Sequence, residues 1–414
     1  HLRKGNDERF EYTAQASLIG IDAAAEGPIS REKRSSFLVN YRYSFTGLLG
    51  LMGVTFGGEA ITFQDLSFNL SFPTEKAGTF TVFGMGGMSS NRFKAPRTDS
   101  LRETGKDRFD INFYSNMAAG GITHRILLGE KTVLRSVVAV STIDSKRDAF
   151  YLQDDNETLS KVEYDQLGQT KLSLTSALTH KFSGRSSLTL GAYATQNYST
   201  TLSESRPLPG NSDFLTLADF GGSAWLFQPY ANWTFTPASR LTIQAGVHGM
   251  FYLLNNSKSI EPRLSLEWNP ALRHSLRLAY GLHSQLQLPT LYFSAFRDAD
   301  GAIVRPNINL GFTRAHHAVL SYSLRLSEIL HLRAEPYFQY LFDVPVLSQP
   351  GSTFSALNLL ESQVNDSLVN EGLGRNYGLE LSLERWLRDS WYYVFSGSLY
   401  QSQYQASDGI WRDT

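Results

Sequence analysis

The sequence lacks several features that would point to common protein classes. Its 414 residues include no cysteine, which excludes disulfide bonds and fits the periplasm and outer membrane, where a stray thiol would be oxidised. No run approaches the roughly 18 consecutive apolar residues of a membrane-spanning helix. The 38 basic residues almost balance the 39 acidic ones, so the basic surface typical of nucleic-acid binding is missing. A membrane β-barrel is compatible with these absences, because a strand needs only roughly 9–11 residues to cross a bilayer.

Runs of alternating apolar and polar residues are the main feature that is present, for example over 263–268, 275–282 and 379–384. Because side chains along a strand point to opposite faces with a period of two, each run has one apolar and one polar face. Short and long connections alternate between the runs, and this pattern predicts a transmembrane, antiparallel, up-and-down β-barrel. We expect lipid to face Leu264, Leu266, Trp268, Leu379, Leu381 and Leu383. We expect the lumen to face Arg263, Glu267, Arg277, Glu380 and Glu384.

Four of the six tryptophans flank short turns. They are Trp233, Trp268, Trp386 and Trp391. Rings with a polar atom collect where hydrocarbon meets the lipid headgroups, so this placement predicts one of the two aromatic girdles of a barrel. The alternative is that aromatic residues favour any strand.

The alternation predicts about sixteen strands. They lie near 10–24, 34–45, 61–72, 78–89, 108–128, 132–149, 159–182, 185–203, 220–236, 240–254, 257–268, 274–287, 313–326, 329–341, 373–386 and 390–405. Short connections follow the odd-numbered strands, and the long ones mostly follow the even-numbered strands. The long connections are 46–60, 90–107, 204–219, 288–312 and 342–372, and the connection at 255–256 is a short exception.

The order of the connections predicts that the barrel is incomplete at both ends. If short turns face the periplasm and long loops face outward, both ends of this sequence lie on the external side. A complete bacterial barrel has an even number of strands and normally begins and ends in the periplasm. We therefore expect at least one strand before residue 10 and one after residue 405, with 411–414 in an outer loop. No signal peptide is recognisable, since residues 1–5 lead directly into strand sequence, and this too suggests a removed signal or a fragment.

Six segments resemble TonB-dependent outer-membrane receptors of the Bacteroidota. The segments are 25–28, 36–44, 260–264, 278–285, 370–380 and 407–412. The resemblance implies a 22-stranded barrel filled by an N-terminal plug domain, which carries the box that periplasmic TonB pulls on. Neither the plug nor the closing strands are recognisable here. We therefore expect residues 1–414 to be a single, partial barrel domain without a plug.

No motif predicts an active site, and we expect no enzymatic activity, no cofactor and no metal site. Adjacent strand residues such as His316 and His317 point to opposite faces and cannot chelate one ion together. The acidic stretch Asp154-Asp155-Asn156-Glu157 partly resembles a calcium loop, but its acidic residues are contiguous rather than alternating. An exposed acidic loop is the simpler interpretation.

Two further features of the sequence are a group of glycines and the aromatic residues of two long connections. Gly84, Gly86 and Gly87 lie in strand sequence with no helix after them, so they indicate close backbone approach rather than a phosphate loop. The connections 288–312 and 342–372 carry aromatic residues that we expect to be exposed and to capture substrate. These are Tyr292, Phe293, Phe296 and Phe354.

The favoured function is the barrel part of a TonB-dependent receptor that imports a scarce nutrient across the bacterial outer membrane. The expected partners are the lipid bilayer, a plug domain, periplasmic TonB and a small-molecule or oligomeric nutrient, whose class (siderophore, corrinoid, glycan or peptide) and binding residues the sequence leaves open. A passive porin-like channel or an adhesion or anchoring barrel is the alternative. A soluble all-β enzyme or lectin would require the apolar faces to form a buried core.

Overall fold

The computed structural model describes residues 3–17, 20–44, 46, 59–206, 213–297, 299–359 and 366–414. Eighteen strands in these ranges form one large antiparallel, up-and-down sheet, and two more form a small hairpin. This confirms the predicted all-β, up-and-down architecture. None of the helices in the described residues is long and apolar enough to cross a membrane.

The strands of the large sheet follow one another in chain order, and consecutive strands pair. They are β1 (Glu11–Ala16), β2 (Gly20–Ser30), β3 (Ser35–Ser44), β4 (Glu59–Pro73), β5 (Thr79–Phe93), β6 (Phe109–Leu127), β7 (Thr132–Leu152), β8 (Leu159–Ser183), β9 (Ser186–Ser205), β10 (Leu215–Ala238), β11 (Leu241–Tyr252), β12 (Ser257–Ala271), β13 (His274–Gln285), β16 (Thr313–Arg325), β17 (Leu330–Leu347), β18 (Leu368–Arg388), β19 (Trp391–Gln405) and β20 (Trp411–Asp413). The connection between β13 and β16 contains helix α1 (Pro289–Phe293) and the hairpin strands β14 (Phe296–Arg297) and β15 (Ile303–Val304).

The chain divides into two compact units. The first comprises the described residues within 1–127, 134–176 and 195–224, and the second those within 128–133, 177–194 and 225–414. In the first unit, β4 and β5 pair without a register shift, and Gly84 of β5 lies against the ring of Phe68. A Cβ atom at position 84 would overlap that ring, so this glycine makes room for an aromatic side chain and not, as the sequence had indicated, for neighbouring backbone. Its place inside a paired strand agrees with the expectation that it is not part of a phosphate loop.

Strand register in the second unit separates the predicted apolar and polar residues. Leu264 lies opposite Tyr280, whereas Arg263 lies opposite Gly281 on the other face. The register continues through the neighbouring strands β16 to β19. We call the two sides the apolar face, with Leu264, Leu266, Trp268, Leu379, Leu381 and Leu383, and the polar face, with Arg263, Glu267, Arg277, Glu380 and Glu384.

The apolar face of the second unit is not a buried core. Leu264 and Leu381 are each 45% exposed, and Trp268 is 50% exposed. Burial of these leucines is what a soluble sandwich would require, so this exposure contradicts the soluble alternative and agrees with a lipid-facing surface.

Aromatic residues extend the apolar face towards the short turns. Trp233 stacks on Phe235 with ring centres 5.1 Å apart, and its register partner Ala245 lies opposite Leu264. Tyr393 likewise contacts Trp391 and Phe395 on either side, two residues away in each direction. The structure therefore places these rings where an interfacial girdle is expected.

The prediction of one strand over 10–24 is wrong, because the chain turns within it. β1 ends at Ala16, β2 begins at Gly20, and the two form a hairpin. The backbone N–H of Ser17 donates to the carbonyl oxygen of Gly20 at 2.9 Å and closes the turn. Gly20 approaches the next strand closely, since a Cβ atom there would lie 2.6 Å from the carbonyl oxygen of Tyr43. Alternation continues on both sides of this turn, so the pattern alone does not reveal it.

Most of the predicted long connections are confirmed but shorter than expected, because the strands extend further. β17 continues to Leu347 and β18 begins at Leu368. Parts of the predicted loops, namely 47–58, 207–212, 298 and 360–365, lie outside the described residues. The expectation that 411–414 lies in a loop is wrong for three residues, because Trp411–Asp413 pairs with β19 at Gln403–Gln405.

Candidate functional site

The polar face of the second unit carries ion pairs, some between neighbouring strands and some within one strand. Glu267 of β12 accepts a hydrogen bond from the Arg277 guanidinium of β13 at 2.5 Å, and the two residues are direct register partners. Glu380 lies opposite Glu335, whose carboxylate pairs with Arg333. Two of the five predicted lumen charges, Glu267 and Arg277, therefore stabilise strand pairing in this structure.

A second cluster on the polar face surrounds the buried carboxylate of Glu261, which is 1% exposed. Its Oε2 accepts a hydrogen bond from Arg263 at 2.8 Å and lies 2.8 Å from Nδ1 of His248, its register partner on β11. Gln228 reaches the other ring nitrogen of His248 at 3.5 Å. A carboxylate with this little exposure requires such partners, because an unpaired buried charge is costly.

Two further histidines lie on the polar face of the neighbouring strands. His283 of β13 and His317 of β16 have ring centres 4.7 Å apart, tilted by 44°. His317 is the register partner of Gly281, and a Cβ atom at position 281 would lie 2.6 Å from Nε2 of His283. The imidazole of His283 thus occupies space that only a glycine leaves free. We call Glu261, Arg263, His248, His283 and His317 the histidine patch.

His316 lies on the opposite face from His317, as predicted. It is the register partner of Leu282 and Tyr340, its Nδ1 lies 2.9 Å from the Tyr280 hydroxyl, and its ring stacks near Phe342. The two adjacent histidines therefore cannot bind one ion together, and only His317 belongs to the patch.

The connection between β13 and β16 is a folded segment rather than an open loop. We call residues 286–312 the anchored loop. Gln287 donates from Nε2 to the carbonyl oxygen of Gly311 at 2.9 Å and to the Thr313 hydroxyl at 3.0 Å, which ties the two ends together. Helix α1 follows Gln287 in this loop, and four of its five residues are buried.

Three asparagine side chains attach the anchored loop to the strand ends around it. Asn255, in the turn after β11, donates to the carbonyl oxygens of Ile308 and Leu310 at 3.0 and 2.7 Å. Asn307 donates to the carbonyl oxygen of Asp366, and Asn370 accepts from the backbone N–H of Gly311 at 2.8 Å. These side chains satisfy backbone groups that would otherwise lack partners in a long connection.

The expectation that Tyr292 and Phe293 are exposed is wrong. They are 1% and 4% exposed, because α1 turns both rings inward, and the Tyr292 ring packs 5.2 Å from Tyr252. Burial raises the pKa of the Tyr292 phenol above its ordinary value. Phe296 is exposed as predicted, and Phe354 is half-buried. The first two rings therefore hold the anchored loop in place and are not available to a ligand.

The acidic stretch 154–157 of the first unit is occupied by local contacts. Asp154 pairs with Arg108 at 2.7 Å, and Asn156 accepts from Arg102 at 2.6 Å. Asp155 accepts from the hydroxyl group of Thr158 and from the backbone N–H groups of Thr158 and Glu157, and these bonds lower the pKa of its carboxyl group. This arrangement favours the exposed acidic loop over a calcium loop.

Sequence reasoning missed most of the histidine patch and all of the asparagine contacts. Alternation does place Glu261 and His283 on the polar side of their strands. Their grouping with His248 and His317 depends on register, which a single sequence does not reveal. The Asn307 contact joins residues far apart in sequence and had no local signal.

The patch presents the half-buried imidazoles of His283 and His317 and the exposed guanidinium group of Arg263 on the polar face, whereas the Glu261 carboxylate is buried. Such a surface suits non-covalent binding of a polar ligand. Within the part of the chain that the structure describes, no group of three or more His, Asp or Glu residues is arranged to hold a metal ion.

No protein-family model and no curated protein matches this chain. Several solved structures match it over almost its whole length. The ferric-catecholate import receptor Fiu from K12 E. coli aligns with a TM-score of 0.66 and 10% identity, over 97% of this chain and 66% of Fiu. The pyoverdine outer-membrane receptor FpvA from Pseudomonas aeruginosa PAO1, bound to pyoverdine, gives 0.65 and 11%, over 97% and 65%.

The RagAB peptide importer aligns with a TM-score of 0.64 and 11% identity, over 93% of this chain and 50% of that structure. The chain thus spans between half and two thirds of the length of the structures it matches. At these identities the similarity concerns the fold. The chain has the fold of the β-barrels of TonB-dependent outer-membrane receptors.

Proposed function

We propose that this chain is the barrel part of a TonB-dependent receptor that imports a scarce nutrient across the bacterial outer membrane. The observation that carries the proposal is the pair of faces in the second unit. Exposed leucines and tryptophans cover one face, and charged residues cover the other. A sheet of this kind needs lipid on one side and water on the other.

The matched structures support a transport role rather than a catalytic one. They are named as an import receptor for ferric catecholates, an outer-membrane receptor for pyoverdine and a peptide importer, and these ligands differ in chemistry. A shared barrel with different ligands is expected when the strands provide the route and the loops provide selectivity. In this chain the anchored loop and the histidine patch are the best candidates for ligand contact.

The proposal includes partners that lie outside this sequence. A plug domain would occupy the lumen against the polar face, and TonB would act on that plug from the periplasm. The bilayer would contact the apolar face. A wide barrel without such a plug would be a water-filled pore, because barrel diameter grows with strand number.

Uptake measurements on the full-length gene that contains this chain test the proposal. Cells that express it are compared with and without functional TonB, and with the plug deleted. Uptake of the nutrient is expected to be lost without TonB, and deletion of the plug is expected to leave a non-selective pore. If uptake continues unchanged without TonB, the passive channel is the correct function instead.

A further inference from the structure

We propose that His283 and His317 form a two-histidine site for a divalent transition-metal ion on the polar face. The remaining coordination positions would be open to water or to oxygen atoms of a ligand. The site is a property of this chain alone and does not depend on the proposed transport function.

The first observation is that these two imidazoles have no hydrogen-bond partner among the described residues. Five of the other six described histidines have hydrogen-bond partners, and the sixth, His331, has a buried Nε2 without one. The five are His124, His180, His248, His274 and His316, and the His331 ring stacks on Trp386 at 4.0 Å. A neutral imidazole with a free ring nitrogen is a good ligand for zinc, copper and nickel.

The second observation is the geometry of the pair. His283 and His317 are diagonal neighbours on adjacent antiparallel strands, since Gly281 pairs with His317 and His283 pairs with Ala315. Their ring centres lie 4.7 Å apart. Two imidazoles that bind one ion at about 2.1 Å per nitrogen place their ring centres roughly 5 Å apart. Small side-chain rotations would therefore bring one nitrogen of each ring to a shared ion.

The third observation concerns charge around the pair. Arg263 would repel a cation, but Glu261 binds its guanidinium group and compensates its charge. The donors closest together are nitrogens, which favours copper, nickel or zinc over calcium or magnesium.

Copper(II) titration of the purified full chain in detergent tests the proposal, with calorimetry for affinity and electron paramagnetic resonance for ligand identity. We expect one ion per chain with two nitrogen ligands, and at least tenfold weaker binding in His283→Gln and in His317→Gln. His316→Gln is the matched control, because this neighbour has the same side chain on the opposite face, and it should bind like the wild type.

Gly281→Ala provides a second variant that keeps both histidines. The added Cβ would lie 2.6 Å from Nε2 of His283, at the far end of a flexible side chain, so the ring should move and the fold should remain. We expect weaker copper binding here as well. The proposal is overturned if the wild-type chain binds no copper, or if both histidine variants bind it as tightly as the wild type.

Discussion

Asn307 accepts a hydrogen bond at 2.9 Å from the backbone N–H of Leu368, the first residue of β18. The same side chain donates to the carbonyl oxygen of Asp366 at 3.0 Å, and Asn307 is 1% exposed. A single carboxamide therefore joins the anchored loop to a strand that begins about 60 residues later. Because both partners are backbone groups, this contact depends on the shape of the asparagine side chain and on little else.

Replacing Asn307 with alanine should loosen the anchored loop without unfolding the sheet. The change removes two hydrogen bonds and leaves a buried N–H and a carbonyl group unpaired, at a cost of about 1–3 kcal/mol each. Hydrogen exchange of residues 286–312 should become faster, whereas exchange in β12 and β13 should not change. Asn309→Ala is the matched control, because Asn309 is exposed in the same segment. Equal exchange in the two variants would show that Asn307 does not anchor the loop.

A charge on the apolar face should prevent insertion into a bilayer. The same charge at the next residue of the strand, which lies on the polar face, should not. Leu381→Arg would place a cation against lipid at a cost of roughly 2–4 kcal/mol near the bilayer midplane. Ser382→Arg places it on the polar face beside its register partner Ser396. Folding into lipid vesicles, followed by heat-dependent gel mobility, measures the difference. Normal insertion of Leu381→Arg would mean that this face does not contact lipid.

Loss of the carboxylate at residue 261 should cost far more than loss at residue 267. Glu261 is buried and contacts both Arg263 and His248, and each hydrogen bond to a charged group contributes about 1.5–3 kcal/mol. Glu267 pairs with Arg277, which is largely exposed, so that pair contributes about 1 kcal/mol or less. The free energies of unfolding of Glu261→Gln and Glu267→Gln in urea provide the comparison. Equal losses would indicate that the Glu261 cluster adds no stability beyond an exposed pair.

Acid should loosen the connection 94–108 of the first unit through Asp107. Its carboxylate accepts from the backbone N–H groups of Thr104 and Glu103 at 2.7 and 2.9 Å, which lowers the pKa of Asp107. A lowered pKa means that the contribution to stability is complete above the unfolded value of about 3.9 and is lost as the pH falls through the lower, folded value.

Hydrogen exchange at Thr104, corrected for intrinsic rates, should therefore stay constant from neutral pH down to about 4 and accelerate below it. Asp107→Asn should abolish this acid response, whereas the control Glu103→Gln should keep it. An acid response that persists in Asp107→Asn would assign the effect to another carboxyl group.

The strand pattern was readable from the sequence because it is local. Alternation at residues 263–268 and 379–384 correctly separated leucines from charges, since the period of two is a property of one strand. The alternation failed to predict the structure over 10–24, where a turn between Ala16 and Gly20 separates two strands without disturbing the pattern.

The candidate site was not readable in the same way. Exposure of Tyr292 and Phe293 was predicted from their place in a long connection, but both rings of α1 are buried, and that of Tyr292 packs against Tyr252. Asparagines are common in loops, so Asn255, Asn307 and Asn370 did not stand out until their backbone partners were known.

The sequence by itself determined which residues share a face, because the pleated backbone of a strand sends successive side chains to opposite sides. The tertiary structure alone decided which faces meet and in which register. That register brings His283 to His317 and His248 to Glu261. A shift of one residue in any of these strands would move each partner to the other face, so these pairs depend on the pairing of whole strands and not on any local run of residues.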